Sequence, residues 1–172
     1  FSAFQTGVPD LGCILESSLM ACELWENLKR QANLQLFVPQ QPAGLEFRSE
    51  VAVLHLMDGQ VLSAPLLVGA DGRDSWVRES AGLSAVNHHY GEKGVVANFA
   101  VEKPHQNAAW QWFRDDGVLA WLPLPGNRIS IVWSTPHEAA DALCAMSPEA
   151  FAETVAQAGG KVLGELSLIT PP

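Results

Sequence analysis

Four strand-like runs, GVVANFAVE, AAWQWFRD, VLAWLPL and RISIVWS, follow one another from Gly94 to Ser134, separated only by KPHQN, DDG and PGN. A parallel crossover needs about a dozen residues or more, so connections this short predict antiparallel neighbours in one sheet. After the sheet, PHEAADALCAMSPEAFAETVAQAGG reads as two short helices. Ser147 caps the second, Pro148 takes its first position and Gly159-Gly160 stops it. A sheet followed by helices gathered on one face is an α+β arrangement.

The first half of the chain has a different texture. From Ser17 to about Gln31, Met20, Leu24 and Leu28 recur every four residues with Ala21 and Trp25 beside them, which predicts one amphipathic helix capped by Ser17 or Ser18. After LQLFV and the break PQQPAG, Val51, Val53 and His55 alternate against Ala52, Leu54 and Leu56, and Asp58-Gly59 supplies a tight turn. A small strand meander is expected there. Its last run, Leu66 to Ala70, has no polar alternation, the pattern of a strand covered on both faces. The run stops at Asp71-Gly72, and a helix is expected from Asp74 or Ser75. The change in texture after Gly82 divides the chain into 1–82 and 83–172.

Charge and composition exclude several classes of function. Ten Lys and Arg against nineteen Asp and Glu leave a net charge of -9, while a nucleic-acid partner requires clustered basic side chains. The same acidity disfavours docking on anionic lipid, and no apolar run approaches the ~20 residues of a spanning helix. Cys13, Cys22 and Cys144 are odd in number and lack C-x-x-C spacing, so neither a disulfide framework nor a zinc site is indicated, which suits a reducing cytoplasm. His88 and His89 point to opposite faces of an extended chain with no partner at a ligand spacing, so no metal is expected. No G-x-S-x-G elbow is present. FSAFQTGVPD contains no initiating methionine, and SLITPP closes the chain just after an apolar segment begins, so the sequence reads as an internal piece of a longer protein.

The carboxyl end of a strand in an open α/β sheet is where ligands bind. Asp71 placed there can accept hydrogen bonds from a ribose or ribityl hydroxyl, Gly72 permits close backbone approach, and the following helix start offers amides to a phosphate. The plain alternative is an ordinary Asp-Gly turn with Arg78 paired to Glu79 or Asp74. Spacing alone leaves both readings open.

LLVGADGRDSWVRE resembles the DG motif of the FAD-dependent aromatic hydroxylases, the single-component flavoprotein monooxygenases, at Asp71, Gly72, Ser75 and Arg78. VANFAVEKPHQNAAWQWFRDDGVLAWLPLPGNRISIVWS, together with LGCILESSLM, is similar to the ubiquinone-biosynthesis members that hydroxylate octaprenyl-methoxyphenol or -benzoquinol. These share an E-x-PH element, an aromatic-rich strand, an LPL strand and an SIVWS strand in that order. The resemblance covers most of the chain.

What the resemblance implies is specific. Residues 1–82 would be the central part of an FAD-binding α/β domain (helix, meander and DG strand), with the family's G-x-G-x-x-G element before residue 1 and its Gly-Asp element after residue 172. Residues 83–172 would be a substrate-binding antiparallel sheet with helices on one face. FAD would be held by Asp71, Gly72, Ser75 and Arg78, with Ser17 standing where the family carries a longer amide-bearing side chain. NAD(P)H would supply electrons, and the substrate would be a polyprenylated phenol or quinol. No catalytic side chain is indicated, because the family's protein positions the ring and excludes water while the cofactor carries the chemistry.

Trp110, Trp112, Trp121 and Pro123 are the expected substrate contacts. Trp110 and Trp112 share parity on one strand and so project from one face. Their alternative is the core of a sheet packed on the two C-terminal helices. The lipid substrate implies peripheral contact with the inner membrane, and an uncovered Leu66 to Ala70 run implies self-association. Two other functions stay open: a non-catalytic module binding aromatic or prenylated molecules, and a related flavin hydroxylase with another aromatic substrate.

Overall fold

A computed structural model describes all residues, 1–172. In chain order the elements are α1 (Ala3–Thr6), α2 (Ser17–Lys29), β1 (Pro42–Phe47), β2 (Ala52–Leu56), β3 (Val61–Ala64), α3 (Trp76–Ser80), β4 (Glu92–Val101), β5 (Trp110–Arg114), β6 (Gly117–Leu124), β7 (Arg128–Pro136), α4 (His137–Cys144), α5 (Pro148–Ala158) and β8 (Leu166–Thr170). They divide into two compact units, residues 23–88 and residues 1–22 with 89–172.

In the first unit β1, β2 and β3 form the expected antiparallel meander. The β2–β3 turn is built by Asp58-Gly59. Gly59 takes φ +88°, its amide donates to the Leu56 carbonyl at 3.0 Å, and Asp58 Oδ1 accepts the Gln60 amide at 3.0 Å. β1 begins at Pro42, inside the Pro/Gly break, with a register shift between Pro42 and Gly44. Proline is tolerated at the start of an edge strand, where its missing amide breaks no ladder. Only Ala52, Val53 and Leu56 are buried apolar residues in this unit.

Two expectations for this region are corrected. Leu66 to Ala70 joins no ladder, and Leu66 and Val68 are 74% and 72% exposed. A strand exists by hydrogen bonding to its neighbours, and no strand of the unit lies beside this run. α2 ends at Lys29 and buries none of its residues. Ser17 is its first helical residue rather than its cap, and Leu24 and Leu28 are exposed.

The second unit carries a five-stranded sheet ordered β5-β6-β7-β4-β8, antiparallel throughout. β4 and β5 are consecutive but not adjacent, because β7 and β8 occupy both sides of β4 and residues 102–109 carry the chain across the sheet's end. β8 was not foreseen: Leu168 pairs with Phe99, a partner far away in sequence. α4 and α5 lie on one face, as expected. There Val95, Ala97 and Phe99 of β4, Leu119 and Trp121 of β6, and Ile129, Ile131 and Trp133 of β7 meet Leu143 of α4 and Phe151 and Val155 of α5. Phe99 and Phe151 rings lie 5.6 Å apart.

Helix α5 begins as its sequence requires. Ser147 Oγ accepts the Ala150 amide at 3.3 Å, Pro148 follows, and Gly159 closes the helix. Gly159 has a second task, since a Cβ there would strike the Trp121 indole.

Candidate functional site

The Asp71-Gly72 turn is held by its own side chains. Gly72 takes φ +87°, a left-handed conformation that glycine adopts without steric cost. Asp71 Oδ1 accepts the Ser75 hydroxyl at 2.5 Å and Oδ2 accepts the Val77 amide at 3.1 Å. The Ser75 oxygen in turn accepts the Arg78 amide at 3.0 Å, so Ser75 is the N-cap of α3. The Ser75 hydroxyl first, then the Val77 amide, hold the Asp71 carboxyl below the usual aspartate range. Arg78 Nη1 donates to the Arg73 carbonyl at 2.8 Å and closes the loop from the other side. Its partner is therefore backbone rather than Glu79 or Asp74.

The four motif residues thus divide in two. Ser75 is buried and Arg78 is committed to the loop backbone, so both support the turn. Asp71 and Gly72 are exposed, and a Cβ built on Gly72 would meet nothing within 4 Å. A carboxylate has about four acceptor positions, and protein donors use two of those on Asp71. Capacity remains for hydroxyl donors approaching over open backbone, which fits the polyhydroxyl chain of a flavin. Gly69 was missed by sequence reasoning: a Cβ there would lie 3.0 Å from Val77, so glycine lets the run pass close to α3. The G-x-D-G spacing was the available signal.

Ser17 is exposed at the start of α2 and belongs to the other compact unit, outside this hydrogen-bonded group. The tryptophans require a correction. Trp110 pairs with Trp121 and Trp112 with Leu119, so all lie on the face that α4 and α5 cover. Trp121 is fully buried and meets Trp112 edge-on at 5.0 Å, while Trp110 and Trp112 pack against the same core. Pro123 pairs with the buried Ile129 near the end of that face. The tryptophans hold sheet to helices.

Arg114 was also missed. It forms a two-pronged pair with Asp116, at 2.7 and 3.3 Å, and sits 5.2 Å from the centre of the Trp133 ring. Asp116 raises the Arg114 pKa, and Arg114 lowers that of Asp116. Its Nη1 reaches the Ala158 carbonyl at 3.4 Å, tying edge strand β5 to the carboxyl end of α5.

The solved structure of PqsL, a probable FAD-dependent monooxygenase from Pseudomonas aeruginosa, superposes with a TM-score of 0.68 at 21% identity, covering 87% of this chain and 45% of that one. The chain belongs to the FAD binding domain family, whose pattern it matches over residues 46–169. Among curated relatives, it is 33% identical over 161 residues to ubiquinone hydroxylase UbiL of Rhodospirillum rubrum, covering 94% of this chain and 38% of that protein. It is 32% identical over 133 residues to 3-demethoxyubiquinol 3-hydroxylase of Escherichia coli, covering 77% of this chain and 34% of that protein. The chain therefore spans little more than a third of the length of these relatives.

Proposed function

We propose that this chain is the central part of an FAD- and NAD(P)H-dependent monooxygenase that hydroxylates the aromatic ring of a polyprenylated phenol or quinol in ubiquinone biosynthesis. The observation that carries this reading is the alignment of 94% of the chain with a ubiquinone hydroxylase at 33% identity. Asp71 and Gly72 would hold the ribityl or ribose hydroxyls of the flavin, while Ser75 and Arg78 fix the turn that presents them. Bound FAD supplies oxygen activation with electrons from NAD(P)H.

Residues 83–172 act as the substrate domain in this reading, and residues 1–82 as the cofactor side. The sheet face opposite α4 and α5 takes the place of the tryptophans as the substrate surface. Val96 and Val132 are exposed there, with half-buried Ala120, Leu122 and Ser130 between them. Such a face suits a flat ring with an apolar tail, because binding then draws on apolar burial of ~25 cal/mol per Å². We assign the protein to the cytoplasm, with peripheral contact to the inner membrane through its lipid substrate and a homo-oligomeric state. No helix of the chain is long and apolar enough to cross a membrane.

Expression of the complete reading frame tests the proposal. A yellow protein that consumes NAD(P)H and oxygen when given a prenylated quinol precursor is expected. A colourless, well-folded full-length protein overturns it.

A further inference from the structure

The sheet face opposite α4 and α5 is not uniformly apolar. Its residues alternate along each strand with those of the core, and the cross-strand register sets them in rows. One row crosses β6, β7 and β4 as Ala120, Val132 and Val96. The next crosses the same strands as Leu122, Ser130 and Asn98. The rows lie two residues apart along each strand, about 6.6 Å.

Asn98 and Ser130 differ from the other polar residues of this face. The Ser134 hydroxyl donates to the Glu92 carboxylate, and Gln111 is exposed on the edge strand β5. The Asn98 carboxamide and the Ser130 hydroxyl make no hydrogen bond within the chain, although both residues are half-buried. The backbone of Asn98 explains how close the two side chains stand. Its amide donates to Thr170 Oγ1 of β8 at 3.0 Å and so points away from β7. Asn98 and Ser130 are therefore a non-hydrogen-bonded pair of the β4–β7 ladder, the type with the closer approach, about 4.5 Å between Cα atoms.

Two polar groups with free capacity thus stand side by side, next to an apolar row. The carboxamide offers two N–H donors and an acceptor, and the hydroxyl offers one donor and accepts as well. A ring hydroxyl beside a second ring oxygen matches that set, with one donor and several lone pairs on a single edge. A bare hydrocarbon ring would cover both groups without pairing them, which costs free energy.

We propose that Asn98 and Ser130 bind the oxygen substituents on one edge of the substrate's aromatic ring, a hydroxyl with an adjacent methoxy or hydroxyl group, while its apolar part lies on Val96, Val132 and Ala120. This assignment rests on the substrate class proposed above and adds which way the ring is turned and which side chains select it.

Titration calorimetry on the complete protein tests it without requiring turnover. The probes are 2-methoxy-6-prenylphenol and prenylbenzene, which share the ring and chain and differ in the ring oxygens. Asn98→Ala and Ser130→Ala should each weaken binding of the methoxyphenol about tenfold, the loss of one hydrogen bond, and leave prenylbenzene within about twofold. Ser130→Thr keeps the hydroxyl and should bind the methoxyphenol as the parent does. Val132→Ala removes apolar contact and should weaken both probes alike. In the unsubstituted protein the Asn98 carboxamide proton resonances should shift on addition of the methoxyphenol and stay in place with prenylbenzene.

Equal losses for the two probes in Asn98→Ala and Ser130→Ala, or unchanged affinity for the methoxyphenol, overturn the assignment. Flavin content separates it from the cofactor reading. A colourless protein that still discriminates between the probes through Asn98 and Ser130 supports the assignment and counts against the flavin. A yellow protein that turns over a prenylated quinol with both substitutions in place and no change in KM overturns the assignment and leaves the flavin reading standing.

Discussion

Two largely apolar runs in this chain end in opposite environments. Ile129 to Trp133 in β7 has two strands beside it and helices over one face, and Ile129 and Ile131 are wholly buried. Leu66 to Ala70 has no strand beside it, and its Val68 is 72% exposed. An apolar run states that cover is needed, while the cover itself comes from other elements. In the sheet unit those elements are in the chain. In the 23–88 unit no strand lies beside the run.

The comparison breaks most visibly at its extremes. Trp121→Ala should cost about 3–5 kcal/mol, the usual penalty for deleting a buried aromatic side chain. Val68→Ala should change the stability of this chain by less than about 0.5 kcal/mol, because it removes exposed surface. Denaturant unfolding of both variants measures the difference. Equal losses would mean that Val68 is covered in solution and that the two units do not differ as described.

A smaller effect sharpens the same contrast from the packing side. Gly159→Ala places a methyl group against the Trp121 indole and should cost about 1–3 kcal/mol, as overpacking of a filled core does. Gly72→Ala meets open space and carries only the strain of φ +87°. Thermal melts of the two variants distinguish a glycine required by a neighbour from one required by its own backbone angle.

These contrasts mark what the sequence made legible. Local grammar was enough for the β6–β7 hairpin, the Ser147 cap with Pro148, the Asp58-Gly59 turn and the helix start after Asp71. Residue parity correctly placed Trp110 and Trp112 on one face. It did not say which face the helices would cover, because that is settled by contacts such as Phe99 with Phe151 between elements far apart in sequence. β8 escaped for the same reason, being a strand by virtue of its pairing with β4. At the candidate site the residue types were legible and their roles were not: Ser75 and Arg78 serve the turn, a division visible only once their hydrogen bonds are known.

The next effect is that of the cap. Ser75→Ala removes the acceptor of the Arg78 amide and the donor to Asp71, and should cost about 1 kcal/mol, the usual loss for a helix N-cap. The loss should fall within residues 71–81, read as faster amide exchange at Val77 and Arg78 while the amides of β6 and β7 are unaffected. Faster exchange throughout the sheet would show the two units to be one cooperative block.

The smallest expected effect bears most directly on the proposed chemistry. Asp71 is exposed, and its carboxyl lies below the ordinary aspartate range because the ionised form accepts the Ser75 hydroxyl and the Val77 amide. A depressed folded-state pKa stabilises the turn above the unfolded aspartate pKa, and that contribution is lost as pH falls through the lower folded value. Exchange at the Val77 amide, corrected for its intrinsic pH dependence, should therefore show constant protection through the neutral range and a loss only on the acid side of ordinary aspartate titration. Asp71→Asn should remove that acid step while leaving the fold at pH 7 close to intact, since one amide oxygen can still accept. In the complete protein the same variant should release flavin more readily than the parent. Unchanged flavin retention with the acid step abolished would leave Asp71 as a turn organiser alone and return the cofactor contact to Gly72 and its neighbours.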